Sequence, residues 1–221
     1  MKKIIQGIQK FQTDVFPNNR ELFQRLAAGQ SPEALFICCS DSRISVDLMT
    51  QSAPGDLFVC RNAGNIVPVY GLGDAVSGTI EYAVSVLKVN HIVVCGHSDC
   101  GAMKGLIKPE SLASLPAVKE WLRHAEAARC ALDDETEYAG SSAVTAVTKM
   151  NVLLQLAHLA THAKVFAKTR EGSLHLHGWY YQIKTGEVQA WDPVANQWLP
   201  FENSPFISKI QPGIAGDARH A

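Results

Sequence analysis

The residues that could do chemistry fall in two short stretches. In "FICCSDSRIS" (36–45) an apolar run ends in Cys38 and Cys39 and is followed by Asp41 and Arg43. In "VVCGHSDCGAM" (93–103) a second apolar run ends in His97 and is followed by Cys100. Cys39 and Asp41 stand at i and i+2, a spacing that sends both side chains the same way in extended backbone. His97 and Cys100 stand at i and i+3 where a strand gives way to a loop or helix. A turn there brings them together, and a helix N-terminus favours a thiolate. Two thiolates and one imidazole form a borderline-soft donor set suited to zinc, and three protein ligands leave a fourth position. Asp41 can take that position itself, or Arg43 can hold it away in a planar ion pair. With Asp41 away, zinc can bind water and lower its pKa to about 7. Spacing alone leaves three readings open: a catalytic zinc, a closed structural zinc, and buried thiols with no metal.

Composition narrows the classes. The chain has 221 residues, 47% of them hydrophobic and 19% charged, enough for one large core. A formal net charge of −1 with no long run of one sign argues against nucleic acid or an anionic membrane as partner. No apolar run reaches the roughly 18 residues of a membrane span. The opening "MKKIIQGIQKFQTD" reads as an amphipathic helix, not a signal peptide. A cytoplasmic protein is expected, so the 6 cysteines (Cys38, Cys39, Cys60, Cys95, Cys100, Cys130) are thiols or ligands, not disulfides.

The elements that must position the two stretches follow from periodicity. "ALFICCS" (34–40), "DLFVCRN" (56–62) and "HIVVCGH" (91–97) are apolar runs without polar alternation, as strands buried on both faces would be. Residues 4–28, 74–88, 114–130 and 142–163 read as helical, with Pro17 interrupting the first. Residues 173–193 read as strand, Thr-Gly turn and strand, and "RNAGN" (61–65) as a tight turn. Strands alternating with helices predict an α/β fold with a mainly parallel central sheet flanked by helices. Ligands in such sheets gather at the carboxyl ends of the strands, where both stretches lie. One domain over 1–221 is expected: a helical arm (1–30), an α/β core (31–205) and a flexible tail (206–221).

"CSDSR" (39–43) with "GHSDCGA" (96–102) resembles the paired signature of the β-class carbonic anhydrases, and "GDLFVCRNAGNIVP" (55–68), "IEYAVSVLKVNHIVVCGH" (80–97) and "LHGWYYQIKTGEV" (176–188) resemble further family blocks. The likeness is to the bacterial cyanate-operon and carboxysomal types and covers about residues 1–205. It implies reversible hydration of CO2 to bicarbonate and a proton by zinc-bound hydroxide. It implies Cys39, His97 and Cys100 as zinc ligands, Asp41 orienting the reacting water and Arg43 holding Asp41 off the metal. It also implies a substrate pocket walled from two subunits by Gln30, Phe58, Tyr82 and the N–H of Gly101, and an arm that packs on a partner in a homodimer or tetramer. Two departures stand out. Ala63 replaces a common valine near the pocket, and Phe36 replaces the tryptophan of a regulatory bicarbonate site, with Arg61 and Tyr181 at its other positions. That regulatory site is expected to be absent or weak, because Phe36 has no indole N–H, and the switch of Asp41 onto zinc is expected to be disfavoured near neutral pH.

Other residues invite chemistry less. Cys38, Cys60 and Cys95 read as core and Cys130 as incidental; His175 and His177 lack an evident third ligand; Asp99 reads as solvent-facing or capping. The competing functions are a CS2 or carbonyl sulfide hydrolase, an assembly protein without turnover, and, since no C-x-x-C occurs, least of all a thiol redox protein.

Overall fold

A computed structural model describes residues 1–71, 73–131 and 143–204; the tail expected over 206–221 lies outside the described residues. Six strands form one sheet: β1 (Ala34–Cys39), β2 (Leu57–Asn62), β3 (His91–His97), β4 (His175–Tyr181), β5 (Val188–Asp192) and β6 (Gln197–Pro200). Their order is β2-β1-β3-β4-β5-β6, and the first four are mutually parallel. β5 and β6 add antiparallel, after a turn in which Gly186 takes φ 79°. All six residues of β1 are buried, so its unbroken apolar run reflects cover on both faces.

Parallel pairing carries a consequence for the site. In register, Cys39 of β1 lies beside Asn62 of β2, and His97 of β3 lies beside Tyr181 of β4. The carboxyl ends of all four strands, and with them both chemical stretches, therefore share one edge of the sheet. The helix Ala143–Leu159 covers β3 and β4 closely because two strand positions carry no side chain. A Cβ on Gly96 would meet Thr148 Cγ2 at 2.7 Å, and one on Gly178 would meet Val152 Cγ1 at 3.0 Å. The same helix buries two polar residues at i and i+4. Asn151 donates to the Gly64 carbonyl (2.9 Å), and Gln155 accepts from the Val67 N–H (2.7 Å). It thus pins the loop after β2 against the edge that carries Cys39.

The helical arm behaves differently. It runs Lys2–Lys10, a π-helical turn Phe11–Val15, then Phe16–Asn18 and Arg20–Ala28. The break falls at Asn19 (φ −122°), not at Pro17. The π turn widens the backbone just ahead of the residue that lacks an N–H, which lets the helix run through the proline. Phe11, Phe16 and Phe23 pack on one another, but Ile4, Ile5 and Ile8 are 60%, 50% and 56% exposed. No helix among the described residues is long and apolar enough to cross a membrane.

Candidate metal centre

Cys39 Sγ, a ring nitrogen of His97 and Cys100 Sγ all lie within 4.8 Å of one another, and all three residues are buried. They form the only such group of three among the described residues. Each is placed by a different device. Cys39 ends β1, and the Gly64 N–H points at its sulfur (3.4 Å). Gly64 must be glycine on two counts: its φ is +83°, and a Cβ would meet Met103 Cε at 3.0 Å and Ala102 Cβ at 3.1 Å. His97 ends β3, and its Nδ1 donates to the Ser98 carbonyl at 2.9 Å. That bond leaves Nε2 as the unprotonated nitrogen, and Nε2 is buried without a hydrogen-bond partner. Cys100 caps the helix Gly101–Ile107, within reach of the Ala102 and Met103 N–H groups.

Cys39 differs from the buried cysteines Cys38, Cys60 and Cys95, all of which burial pushes up. Next door, burial pushes Cys38 up to about 12, which makes it an inert core residue. Cys39 is drawn down to about 4, first by its hydrogen bond with Cys100 and also by His97 and the Gly64 N–H, against its own burial. Cys100 is pushed up in turn, first by its hydrogen bond with Cys39 and then by burial. The two sulfurs titrate as a coupled pair. A divalent cation would be held by both sulfurs and would give His97 Nε2 the partner it lacks. Two sulfurs and a nitrogen at this separation fit zinc.

Asp41 stands beside this group with its charge already engaged. Its Oδ1 accepts from Arg43 Nε (2.9 Å) and the Arg43 backbone N–H (3.0 Å), and its Oδ2 accepts from Nη2 (2.7 Å). These bonds hold its carboxyl far below the usual carboxylate range. Oδ2 lies 3.9 Å from His97 Nε2, at the rim of the ligand group and not within it. Arg61, which sequence reading weighed only for the regulatory site, donates to the Cys39 carbonyl (3.2 Å) and the Asp41 carbonyl (2.8 Å) and so braces this loop. Phe36 packs edge-on against Trp179 with ring centres 5.7 Å apart.

The pocket residues divide. Gly101 is the first residue of the helix after Cys100, at the metal edge. Phe58 and Tyr82 touch each other (ring centres 5.9 Å apart), but Phe58 lies beside Leu35, near the amino end of β2. Four residues of strand, roughly 13 Å at ~3.3 Å per residue, separate it from Asn62 at the metal edge. Gln30 precedes β1 and is exposed at that same far edge. One chain therefore does not bring Gln30, Phe58 and Tyr82 to its own Cys39. Ala63 borders a cavity of about 600 Å³ walled also by Asn62, Val76, Thr79, Val118 and Trp121, and Trp121 Nε1 donates to the Ala63 carbonyl (2.9 Å). His177 finds a partner in His91, a residue that sequence reading passed over, with His91 Nδ1 3.0 Å from His177 Nε2.

A mainly parallel sheet with a Cys-His-Cys group at its carboxyl edge defines a class, and the comparisons agree. The carbonic anhydrase family model matches residues 34–188. A carbonic anhydrase of Pseudomonas aeruginosa is 48% identical over 97% of this chain and 99% of its own length. One of Synechocystis is 44% identical over 94% and 83%. Among solved structures, the β-carbonic anhydrase CcaA superposes with a TM-score of 0.87 at 46% identity, covering 90% of this chain and 91% of that one. A tetrameric β-carbonic anhydrase of Sordaria macrospora gives 0.73 at 31% identity, covering 86% and 95%. The chain belongs to the carbonic anhydrase family, in its β class. It is a lyase whose reaction is the reversible hydration of CO2 to bicarbonate and a proton.

Proposed function

We propose that this chain hydrates CO2 at one zinc ion held by Cys39, His97 and Cys100, with Asp41 and Arg43 as the catalytic pair. The single observation that carries the reading is His97 Nε2, buried without a hydrogen-bond partner on a ring that stands with the Cys39 and Cys100 sulfurs in one buried group within 4.8 Å. Zinc, when bound, supplies a Lewis acid that brings the pKa of water from 15.7 to about 7. The rest falls to the chain's own residues. Asp41 accepts a hydrogen bond from the reacting water or hydroxide and so aims its oxygen lone pair at CO2, while the released proton leaves to buffer. Arg43 occupies both Asp41 oxygens, which keeps the carboxylate from closing the fourth position. In this reading the N–H of Gly101, the first residue of the helix after Cys100, donates to a substrate oxygen. Loss of either half of the Asp41–Arg43 pair is expected to lower CO2 hydration in stopped flow by about 10- to 100-fold while zinc content stays near one per chain.

The remaining pocket walls come, in this reading, from a second copy of the chain. Phe58 and Tyr82 are too far from their own metal edge, and the arm leaves Ile4, Ile5 and Ile8 uncovered. A homodimer that exchanges arms answers both facts, and the tetrameric relative from Sordaria macrospora supports pairing of such dimers. Gln30 then offers its amide to a substrate oxygen, and Phe58 and Tyr82 exclude water. Six free cysteines, none paired with another, favour the cytoplasm.

A further inference from the structure

We infer that Asp99, which lies between His97 and Cys100 in sequence and exposes its side chain, is a positioning residue that clamps Arg43 so that Arg43 can hold Asp41. The inference rests on the proposed zinc site and extends it by one layer. Arg43 presents its fork to two partners at once. Nε and Nη2 face Asp41, while Nη1 donates to Asp99 Oδ2 (2.9 Å) and Nη2 also donates to the Asp99 carbonyl (3.1 Å). The other carboxylate oxygen of Asp99, Oδ1, is taken by Lys104 Nζ, from the next turn of the helix that Cys100 caps. The chain of contacts runs Asp41, Arg43, Asp99, Lys104, and its far end is tied to a helix that starts at a metal-site cysteine.

Two opposing effects must be weighed. The Asp99 carboxylate competes with Asp41 for the guanidinium charge, which by itself would loosen Asp41. It also fixes the plane of a long side chain that is 44% exposed and that Asp41 alone would grip from one side only. Asp99 is itself 54% exposed, so water screens the competing charge. The directional contacts depend less on that screening, and a planar fork held on both sides loses little further freedom when it grips a carboxylate. Restraint therefore outweighs competition, and Asp99 strengthens the hold on Asp41. The backbone agrees: Asp99 has φ +59°, a left-handed conformation that turns its side chain and its carbonyl towards the same arginine.

The test compares Asp99→Gly with Asp99→Asn in zinc-loaded protein. Glycine removes the carboxylate without straining a positive φ, and asparagine keeps an acceptor oxygen at that φ. Two readouts are taken: the rate at which phenylglyoxal modifies Arg43, followed by peptide mass spectrometry, and the rate of CO2 hydration. In Asp99→Gly, Arg43 modification is expected to speed up about 3- to 10-fold and hydration to fall by a similar factor; Asp99→Asn is expected to stay within about twofold of the parent in both. Unchanged Arg43 reactivity in Asp99→Gly overturns the inference. So does faster modification with an unchanged hydration rate, and so does an asparagine variant that behaves like the glycine one. If the parent protein hydrates no CO2, the proposed function falls and this role with it, while the modification rates still report whether the clamp exists.

Discussion

The two edges of the sheet carry opposite kinds of structure. At the carboxyl edge, Cys39, His97 and Cys100 are buried within one chain, and Asp41, Arg43 and Arg61 already hold their partners. At the amino edge, Tyr82 is 46% exposed, Gln30 is exposed, and the arm displays isoleucines to solvent. The first region is finished by local backbone geometry: two strand ends in one register and a capped helix. The second is left open within one chain, and in the proposed reading a second copy completes it. Metal binding and substrate binding are thus expected to depend on different levels of structure, and perturbing one edge should spare the function of the other.

The largest effects should come from the finished edge. Replacing a proposed ligand, as in Cys100→Ser or His97→Ala, is expected to lose zinc and to lower CO2 hydration by more than about 100-fold, beyond the range typical of outer-shell changes. Metal analysis and stopped flow on the same sample check this. At the unfinished edge, Ile5→Glu with Ile8→Glu should split the oligomer in sedimentation and lower hydration by more than about 10-fold, with zinc per chain unchanged. An active monomer would erase the distinction between the edges. A smaller effect is expected beside His97, near the carboxyl end of β3. Gly96→Ala forces a methyl into Thr148 and Val152 and should cost about 1–3 kcal/mol in denaturant unfolding.

The smallest expected effect is a slope with pH at the amino edge. Burial first, then the neighbouring His91 and His175, lower His177 from 6.5 to about 4. Its folded value lies below its unfolded one, so between these values the unfolded chain binds more protons and stability rises with pH. The contribution is complete above about pH 6.5 and is lost as pH falls through about 4. Between pH 7 and 5 it amounts to at most about 2 kcal/mol. His177→Gln should flatten that part of the stability profile without changing zinc content.

Much of the finished edge was legible in sequence because it rests on short-range rules. Unalternated apolar runs marked β1, β2 and β3, and the i, i+2 and i, i+3 spacings marked Cys39 with Asp41 and His97 with Cys100. What escaped depends on contacts made across the chain. β6 is four residues between Asn196 and a 3-10 turn, too short and too mixed to show a period. Asn151 and Gln155 lie in a run read only as helical, and their ties to the Gly64 carbonyl and the Val67 N–H depend on the loop that the helix covers. Asp99 read as solvent-facing, and it is exposed; its ties to Arg43 and Lys104 appear only once the H-x-x-C turn is folded. The arm's break at Asn19 was missed because a proline was allowed to outweigh a local π turn.

The most direct measurement is CO2 hydration followed while zinc is removed by a chelator and then restored, with metal and protein quantified in each sample. The rate should fall in proportion to zinc and recover fully at one zinc per chain. Full activity in zinc-free protein, or none at one zinc per chain, would contradict a catalytic centre built on Cys39, His97 and Cys100.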